Sequence, residues 1–331
     1  MPASGGRRRP GEFVLIDRHF RPLATDKGAF GLKDDAALLR PKAGKELVVT
    51  ADIVVSGVHF LPDDPPASIA RKALRVNLSD LAAKGADPVG YVVSLALPED
   101  WTEGWVRGFA AGLAADQAAY DVALLGGDTA RSGNGVTIGI TAIGSLPKGE
   151  MVLRSGARPG DAVFVSGTIG DGALGLRIRQ GILSERARGA KHLLDRYLHP
   201  QPRTALSPAL RRCASAAIDI SDGLVGDIGH ICEVSGVGAE LESNLVPLSP
   251  AARAALAAEP GLLSVVLNGG DDYEIAATVP ESSAVAFARE AERAGVPVTR
   301  IGRIVRGKGP PAVKDVAGNV VRLTTRSHTH F

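Results

Sequence analysis

The chain has 331 residues, of which 45% are hydrophobic and 22% are charged. This length and composition exclude a wholly disordered chain and suit about two domains. The 38 basic and 36 acidic residues leave a net charge of +2, which gives no reason to expect a nucleic acid or a membrane surface as partner. No apolar run approaches the ~18 residues of a membrane span. The two cysteines, Cys213 and Cys232, exclude a disulfide framework and favour the reducing cytoplasm.

The N-terminal part of the sequence predicts a disordered arm followed by an α/β domain. Residues 1–12 are small, polar and basic, as in an arm. Helices are predicted from Ser68 to Lys84, where Ser68 is the expected cap, and after Asp100. A change to basic, glycine-rich sequence places a boundary at about residue 150, which gives domains at 13–150 and 151–331. Apolar, β-branched runs predict strands at 47–50, 91–97, 122–125 and 136–143.

The second half alternates between predicted strands and helices, which favours α/β or α+β layers. A glycine-rich turn from Ser166 to Gly172 links a strand to a helix N-terminus, where it could hold phosphate or be purely structural. Strands are predicted at 162–166, 217–220, 273–279 and 298–304, and helices from about 172, at 222–234 and at 282–294.

Aspartates recur where predicted strands end. One such residue is usually a turn or cap residue, because its carboxylate accepts backbone N–H bonds. Repetition at several strand ends favours a shared site, and clustered carboxylates stay ionised only when cations neutralise them. Oxygen ligands favour Mg²⁺, whose commonest task beside acidic loops is phosphoryl transfer. The aspartates beside predicted strands are Asp52, Asp128, Asp219 and Asp222. Asp34 and Asp35 precede an apolar run, Asp271 and Asp272 follow the apolar run at 265–267, and Asp80 lies inside the first long helix.

Several short motifs, taken together, resemble the thiamine-monophosphate kinase family of the aminoimidazole ribonucleotide synthetase-like superfamily. They follow the family's order and cover nearly the whole chain. The motifs are Thr50-Ala-Asp52, Ser56-Gly-Val-His59-Phe60, Val76-Asn-Leu-Ser-Asp80, Gly126-Gly-Asp-Thr129, Arg154-Ser-Gly-Ala-Arg-Pro-Gly-Asp161, Ala217-Ile-Asp-Ile-Ser-Asp-Gly223 and Gly269-Gly-Asp-Asp-Tyr-Glu274.

The resemblance implies a two-domain fold and a specific reaction. The N-terminal α/β domains of a homodimer are expected to join their sheets into a barrel, and each C-terminal domain is expected to be α+β. The expected activity is ATP-dependent phosphorylation of thiamine monophosphate to thiamine diphosphate, by direct in-line transfer with several Mg²⁺ ions. No phospho-enzyme and no general base are expected, because the attacking phosphate oxygen is already anionic.

The resemblance also implies roles for individual residues, which fall into four groups. Catalytic roles are expected for Asp52, Asp128, Asp222 and Arg154. ATP contacts are expected from Gly127, Asp128, Arg154, Ser221 and Tyr120, and substrate contacts from His59, Asp271 and His328. Metal ligands are expected at Asp35, Thr50, Asp52, Asp80, Asp128, Asp219 and Asp222.

Four positions depart from the family's pattern. Lys33 stands where glycine usually precedes the aspartate pair, and Ala51 replaces a threonine, so a metal contact there would use the backbone oxygen. Asp271 replaces a glutamate, and His328 stands where an aromatic residue usually stacks on the thiamine. Two of the three substrate contacts are altered, so the KM for thiamine phosphate could be raised.

Two other functions compete with the kinase. The first is another ATP-using superfamily member, such as an aminoimidazole ribonucleotide synthetase-like ligase; the run around His59 and the run ending at Glu274 favour the kinase instead. The second is a divalent-cation-binding protein without activity, against which the presence of Asp52, Asp128 and Asp222 argues.

Overall fold

The computed structural model describes residues 10–324, which form two compact units. The first unit takes in the chain up to Lys42, then Val49–Asn77 and Pro88–Gly144. The second takes in Ala43–Val48, Leu78–Asp87 and the chain from Ser145 onward. Of the predicted arm, residues 1–9 lie outside the described residues, whereas Glu12 begins the short helix α1 (Glu12–Leu15).

A four-stranded sheet dominates the first unit. Its strands are β1 (Lys45–Val55), β2 (Asp87–Leu97), β3 (Ala123–Arg131) and β4 (Thr137–Pro147), in the order β1-β4-β2-β3. Strands β2 and β3 are parallel, so the chain must cross over between them, and α3 (Glu103–Tyr120) makes that crossing. The other long helix is α2 (Pro66–Ala83).

Close packing and one buried ion pair join α2 to α3. A Cβ added at Gly112 would lie 2.3 Å from the carbonyl oxygen of Ala67, so the helices approach closely. Arg75 on α2 forms a two-pronged pair with the fully buried Asp116 on α3, with both N–O distances at 2.7 Å. Phe109 of α3 is fully buried.

A six-stranded sheet forms the centre of the second unit, in the order β10-β7-β9-β5-β8-β6. Its pairs are antiparallel except β10 with β7. The strands are β5 (Ala162–Ser166), β6 (Ala216–Asp219), β7 (Gly238–Glu242), β8 (Ile275–Val279), β9 (Val298–Val305) and β10 (Ala312–Lys314). The helices are α4 (Asp171–Arg179), α5 (Ala190–Leu198), α6 (Ser207–Cys213), α7 (Leu224–Ser235), α8 (Pro250–Ala258), α9 (Leu263–Asn268) and α10 (Ala284–Arg293).

This sheet buries both of its faces, because side chains of successive residues point to opposite sides of a strand. On β5, Val163 and Val165 pack into the core shared with α7, whereas Phe164 packs into the core shared with α6 and α10. A third core joins α4, α5, α8 and α9. Strands buried on both faces carry continuous apolar runs, which explains why β5 and β8 could be found from the sequence.

Several predicted bounds are wrong. Strand β1 continues to Val55 and β3 to Arg131, so Asp52 and Asp128 lie within strands rather than after them. Residues 265–267, an apolar run ahead of Asp271, belong to the helix α9. Helix α2 begins at Pro66, so Ser68 lies inside the helix rather than at its cap.

Candidate active site

In the first unit, one cavity of about 140 Å³ gathers residues from the loop at 34–37 and from strand β3. Asp35, Gly127 and Asp128 all line it, so these three predicted site residues lie together. Both carboxylates are exposed. Asp128 Oδ1 accepts the N–H of Thr129 at 2.8 Å, and Asp34 accepts the N–H of Asp35 at 2.8 Å. With Asp34, the cavity therefore presents three ionisable acids to whatever enters it.

The glycine before Asp128 is required by strand packing. Gly127 pairs with Val93 on β2, and a Cβ there would lie 2.1 Å from the Val93 carbonyl oxygen. Any other residue would push β3 away from β2. Gly127 thus fixes the position of Asp128, which pairs with Ser94 in the same ladder.

Thr50 and Asp52 lie on β1, two residues apart and therefore on the same side of the strand. The N–H of Asp52 donates to Oδ1 of the buried Asn77 on α2 at 3.1 Å, and Asn77 in turn donates to the Ala73 carbonyl at 3.0 Å. Strands β1 and β3 form opposite edges of the sheet. Three strand spacings, about 14 Å, therefore separate Asp52 from Asp128, which is too far for both to bind one ion within a single sheet.

In the second unit, Lys84 lies within electrostatic range of three predicted site residues. Its Nζ donates to the carbonyl of Ala217 on β6 at 2.8 Å. Burial, followed by the positive charge of Arg154, lowers the pKa of Lys84 to about 8, while Asp219 and Asp80 act in the opposite direction. No sequence motif indicates this lysine, because it simply follows the end of a helix.

The turn between β6 and α7 carries Ser221 and Asp222, and its backbone is held by Asp227. Oδ2 of Asp227 accepts the N–H groups of Ser221, Asp222 and Gly223, each at 3.1 Å. Asp227 is 2% exposed. Burial and, next, the charge of Asp222 raise its pKa to about 7, although the three N–H groups act in the opposite direction. No sequence motif indicated a role for Asp227, because its partners are backbone N–H groups.

The segment 269–274 lies against this turn. The N–H of Asp271 donates to the Ser221 carbonyl at 2.8 Å, and the N–H of Tyr273 donates to the Ile220 carbonyl at 2.8 Å. Asp271 and Tyr273 have φ angles of 66° and 51°, in the left-handed region. The predicted substrate residue Asp271 and the predicted ATP residue Ser221 are therefore direct neighbours.

Asp272 occupies the helix N-terminus at which the glycine-rich turn suggested a phosphate cradle. Its carboxylate accepts the N–H of Gly170 at 2.8 Å and that of Gly172 at 3.1 Å, at the start of α4. Burial raises the pKa of Asp272 well above its usual range. The glycine-rich turn is therefore structural: an internal carboxylate takes the place of a phosphate.

Glu274, the last residue of the same motif, is fully buried in an ion-pair network. It accepts hydrogen bonds from the Ser166 hydroxyl at 2.6 Å, from Arg196 at 2.7 Å and from Arg203 Nε at 2.6 Å. This network connects the start of β8 to the end of β5 and to α5. Asp272 and Glu274 together fix the segment that carries Asp271.

The remaining predicted contacts are His59, Tyr120, Arg154 and His328. His59 follows β1, where its Nδ1 accepts the N–H of Val55 at 3.1 Å. The Tyr120 ring lies 5.4 Å from the guanidinium carbon of Arg75, so a cation–π contact holds it at the end of α3. Arg154 is exposed. His328 lies outside residues 10–324.

Comparisons with known proteins identify the family. Residues 33–146 match the AIR synthase related protein N-terminal domain, and residues 158–314 match the corresponding C-terminal domain. Thiamine-monophosphate kinase of Caulobacter vibrioides is 46% identical, over 92% of this chain and 86% of that protein. The enzyme of Escherichia coli strain K12 is 42% identical, over 97% and 98% of the two chains. The chain belongs to the thiamine-monophosphate kinase family.

Solved structures of this family share the fold. Thiamine-monophosphate kinase from Stenotrophomonas maltophilia K279a superposes with a TM-score of 0.82 at 42% identity, covering 94% of this chain and 98% of that chain. AaThiL complexed with AMPPCP and TMP superposes with a TM-score of 0.76 at 32% identity, covering 99% and 100%. A hydrogenase maturation protein, HypE, has a TM-score of 0.80 at 19% identity and shares the fold alone. The predicted family and the mixed α/β fold are confirmed, and the barrel across a dimer stays a prediction.

Among residues 10–324, no helix has both the length and the apolar character needed to cross a membrane.

Proposed function

We propose that this chain transfers the γ-phosphoryl group of ATP to the phosphate of thiamine monophosphate, giving ADP and thiamine diphosphate. One observation carries the proposal: the hydrogen bond from the Asp271 N–H to the Ser221 carbonyl sets the expected substrate and ATP contacts side by side. Membership of the thiamine-monophosphate kinase family supports the same pair of substrates. The runner-up, a ligase of the same superfamily, has no comparable observation in its favour.

The chemistry needs positioning and positive charge rather than a base. A phosphate oxygen of thiamine monophosphate, anionic near neutral pH, attacks the γ-phosphorus in line. The new P–O bond forms as the bond from the γ-phosphorus to the β,γ-bridging oxygen breaks, and ADP leaves with that electron pair. Arg154 is exposed and supplies a positive charge to the transferring group.

The residues of the site fit Mg²⁺. They offer carboxylate and hydroxyl oxygens, which Mg²⁺ prefers, and two of the acids line one cavity. Bound Mg²⁺ supplies the positive charge that lets two anionic phosphates approach each other. The residues that would hold it are Asp35, Thr50, Asp52, Asp80, Asp128, Asp219 and Asp222.

The active form is a homodimer in which each site uses two subunits. The edge strand β1 exposes Val49 and Ile53, at 63% and 59%, which a second sheet would cover. A barrel closed from two such sheets pairs β1 of one copy with β3 of the other. That pairing brings Asp52 of one subunit towards Asp128 of the partner subunit, which the strand order forbids within one sheet.

Complementation tests the shared site. Asp52→Asn and Asp128→Asn proteins are each expected to be inactive, but mixed and refolded together they form heterodimers with one intact site. We expect the mixture to recover about one quarter of wild-type turnover, because about half the dimers are mixed and each has one working site of two. A mixture that stays inactive while native mass spectrometry shows heterodimers contradicts the shared site. A monomeric wild type contradicts the dimer.

The reaction is tested by incubating the purified protein with ATP, Mg²⁺ and thiamine monophosphate and separating the thiamine phosphates by chromatography. Thiamine diphosphate formed from the monophosphate, but not from thiamine, supports the proposal. ATP binding without diphosphate formation refutes the substrate assignment, and loss of ATP binding refutes the kinase itself. The same assay with aminoimidazole precursors tests the ligase.

We also place the protein in the reducing cytoplasm. Cys213 and Cys232 are both free and buried, as suits a compartment in which thiols stay reduced.

A further inference from the structure

Three successive N–H groups point at one buried oxygen at the start of α7. Ser221, Asp222 and Gly223 donate to Oδ2 of Asp227, each at 3.1 Å. Gly223 lies at the N-cap position without a side-chain cap, and its φ of 121° is open to glycine alone. Asp227, in the first turn of α7, thus accepts the N–H of the N-cap residue Gly223 and those of the two residues before it.

The three residues held in this way include two that the proposed function uses. Ser221 and Asp222 are the expected ATP contact and metal ligand, whereas Asp227 is 2% exposed and its Oδ2 accepts the three backbone N–H groups. A Cβ at Gly223 would lie 2.6 Å from backbone atoms of Asn268, so the turn is also confined from the other side. Without Asp227 the three N–H groups lose their common acceptor and the turn loses its shape.

We infer that Asp227 is a positioning residue for phosphoryl transfer, which holds the backbone of Ser221–Gly223 and thereby places Ser221 and Asp222. The inference rests on the proposed function, which assigns Ser221 to ATP and Asp222 to the metal. The geometry of the three hydrogen bonds does not depend on it.

A metal centre is the competing explanation of the same residues. Ligand atoms of Asp222, Asp227 and His230 lie within 4.8 Å of one another. The His230 side chain is 53% exposed, and its Nδ1 lies 3.9 Å from Glu233, so it faces solvent and another acid. Positioning is favoured because Oδ2 of Asp227 is already surrounded by three backbone donors.

The test compares Asp227→Asn with two matched variants. The amide presents an NH₂ group as well as an oxygen to the turn, which weakens the three hydrogen bonds. We expect kcat to fall about 30-fold and the Mg²⁺ concentration needed for half-maximal activity to rise. KM for thiamine monophosphate should change less than about threefold. His230→Gln tests the metal centre. Asp161→Asn tests a purely structural effect, because the buried Asp161 likewise accepts a backbone N–H, from Arg158 at 2.9 Å.

If Asp227 acts by positioning the turn, His230→Gln and Asp161→Asn should both keep the wild-type kcat. If His230→Gln raises the Mg²⁺ requirement as Asp227→Asn does, the cluster is a metal centre and the inference fails. If Asp227→Asn keeps its kcat, or if Asp161→Asn loses as much, Asp227 is structural only.

Hydrogen exchange of the amides of residues 221–223 separates this inference from the proposed function. We expect these amides to exchange at least about tenfold faster in Asp227→Asn than in the wild type, whether or not thiamine diphosphate is made. Unchanged exchange overturns the inference even in an active kinase. Faster exchange in a protein that binds Mg²⁺–AMPPCP less tightly supports positioning even if the substrate is another phosphate.

Discussion

The backbone N–H of Asp271 donates a 2.8 Å hydrogen bond to the carbonyl of Ser221. Fifty positions of chain separate the two residues, which are expected to contact different substrates. Gly270 makes the approach possible, since its φ is 71° and a Cβ there would lie 2.2 Å from the same carbonyl oxygen. Any movement of one segment is therefore passed to the other.

Asp271→Asn should weaken substrate binding without disturbing the fold. Asparagine tolerates the left-handed φ of 66°, so this variant removes the charge alone. We expect KM for thiamine monophosphate to rise about tenfold at an unchanged unfolding temperature. Asp271→Ala adds backbone strain and should also lose about 1 kcal/mol of unfolding free energy. Equal KM values for wild type and Asp271→Asn, measured by steady-state kinetics, would remove Asp271 from the substrate site.

Asp128→Asn should abolish most turnover at little cost in stability. The side chain is exposed and accepts one local N–H, from Thr129, so folding depends on it weakly. We expect kcat to fall at least about 100-fold and Tm to move by less than about 2 °C. Asp121→Asn is the matched control, since Asp121 is also exposed in the first unit and ends α3. Intact turnover with a large fall in Tm, seen by calorimetry, would mark Asp128 as a structural residue.

Glu274→Gln should destabilise the second unit strongly. The change leaves the guanidinium groups of Arg196 and Arg203 without their buried carboxylate. Breaking such a pair costs about 3–5 kcal/mol of unfolding free energy. Glu281→Gln, which removes an exposed pair with Arg300, should cost less than about 1 kcal/mol. Urea unfolding measures both, and similar costs for the two variants would contradict the network.

The thiol of Cys232 should be inert at pH 8. Burial raises its pKa from 9.0 to about 11, and the residue is 1% exposed. Because the folded pKa is the higher one, the stability that this shift contributes is complete below pH 9 and is lost as the pH rises through 11. Unfolding free energy should therefore fall over that interval, less so in Cys232→Ala. Rapid reaction of the native protein with Ellman's reagent at pH 8, in the wild type but not in Cys232→Ala, would contradict this assignment.

The fold could be predicted from the sequence because it rests on local patterns, and the candidate site residues could be proposed from short motifs. Apolar runs located β5 and β8, and the motifs located Asp52, Asp128 and Asp222. The predicted end of β1 is wrong because the strand continues beyond Thr50 through solvent-exposed residues such as Ala51 and Ile53. These residues alternate with polar ones and form no apolar run.

The supporting residues could not be predicted, since their partners are backbone groups brought close only by the fold. Asp227 faces its own turn across one helical turn, but Asp272 bonds Gly170, about a hundred positions earlier in the chain. Nothing in the spacing of Lys84 indicates its contact with Ala217. In the sequence, Asp227 and Asp272 cannot be distinguished from other aspartates near glycines, because only the tertiary structure brings their backbone partners close.

The internal cap of α4 removes a position at which phosphate-containing molecules would compete for binding. A free helix start attracts inorganic phosphate, ADP and ATP alike, so it would trap product as readily as substrate. At α4 the N–H groups of Gly170 and Gly172 already donate to the carboxylate of Asp272. Because Asp272 belongs to the same chain, a dissolved phosphate does not easily replace it. A rise in cellular phosphate therefore finds no binding position at this helix beside Asp271, and inhibition by phosphate there is not expected.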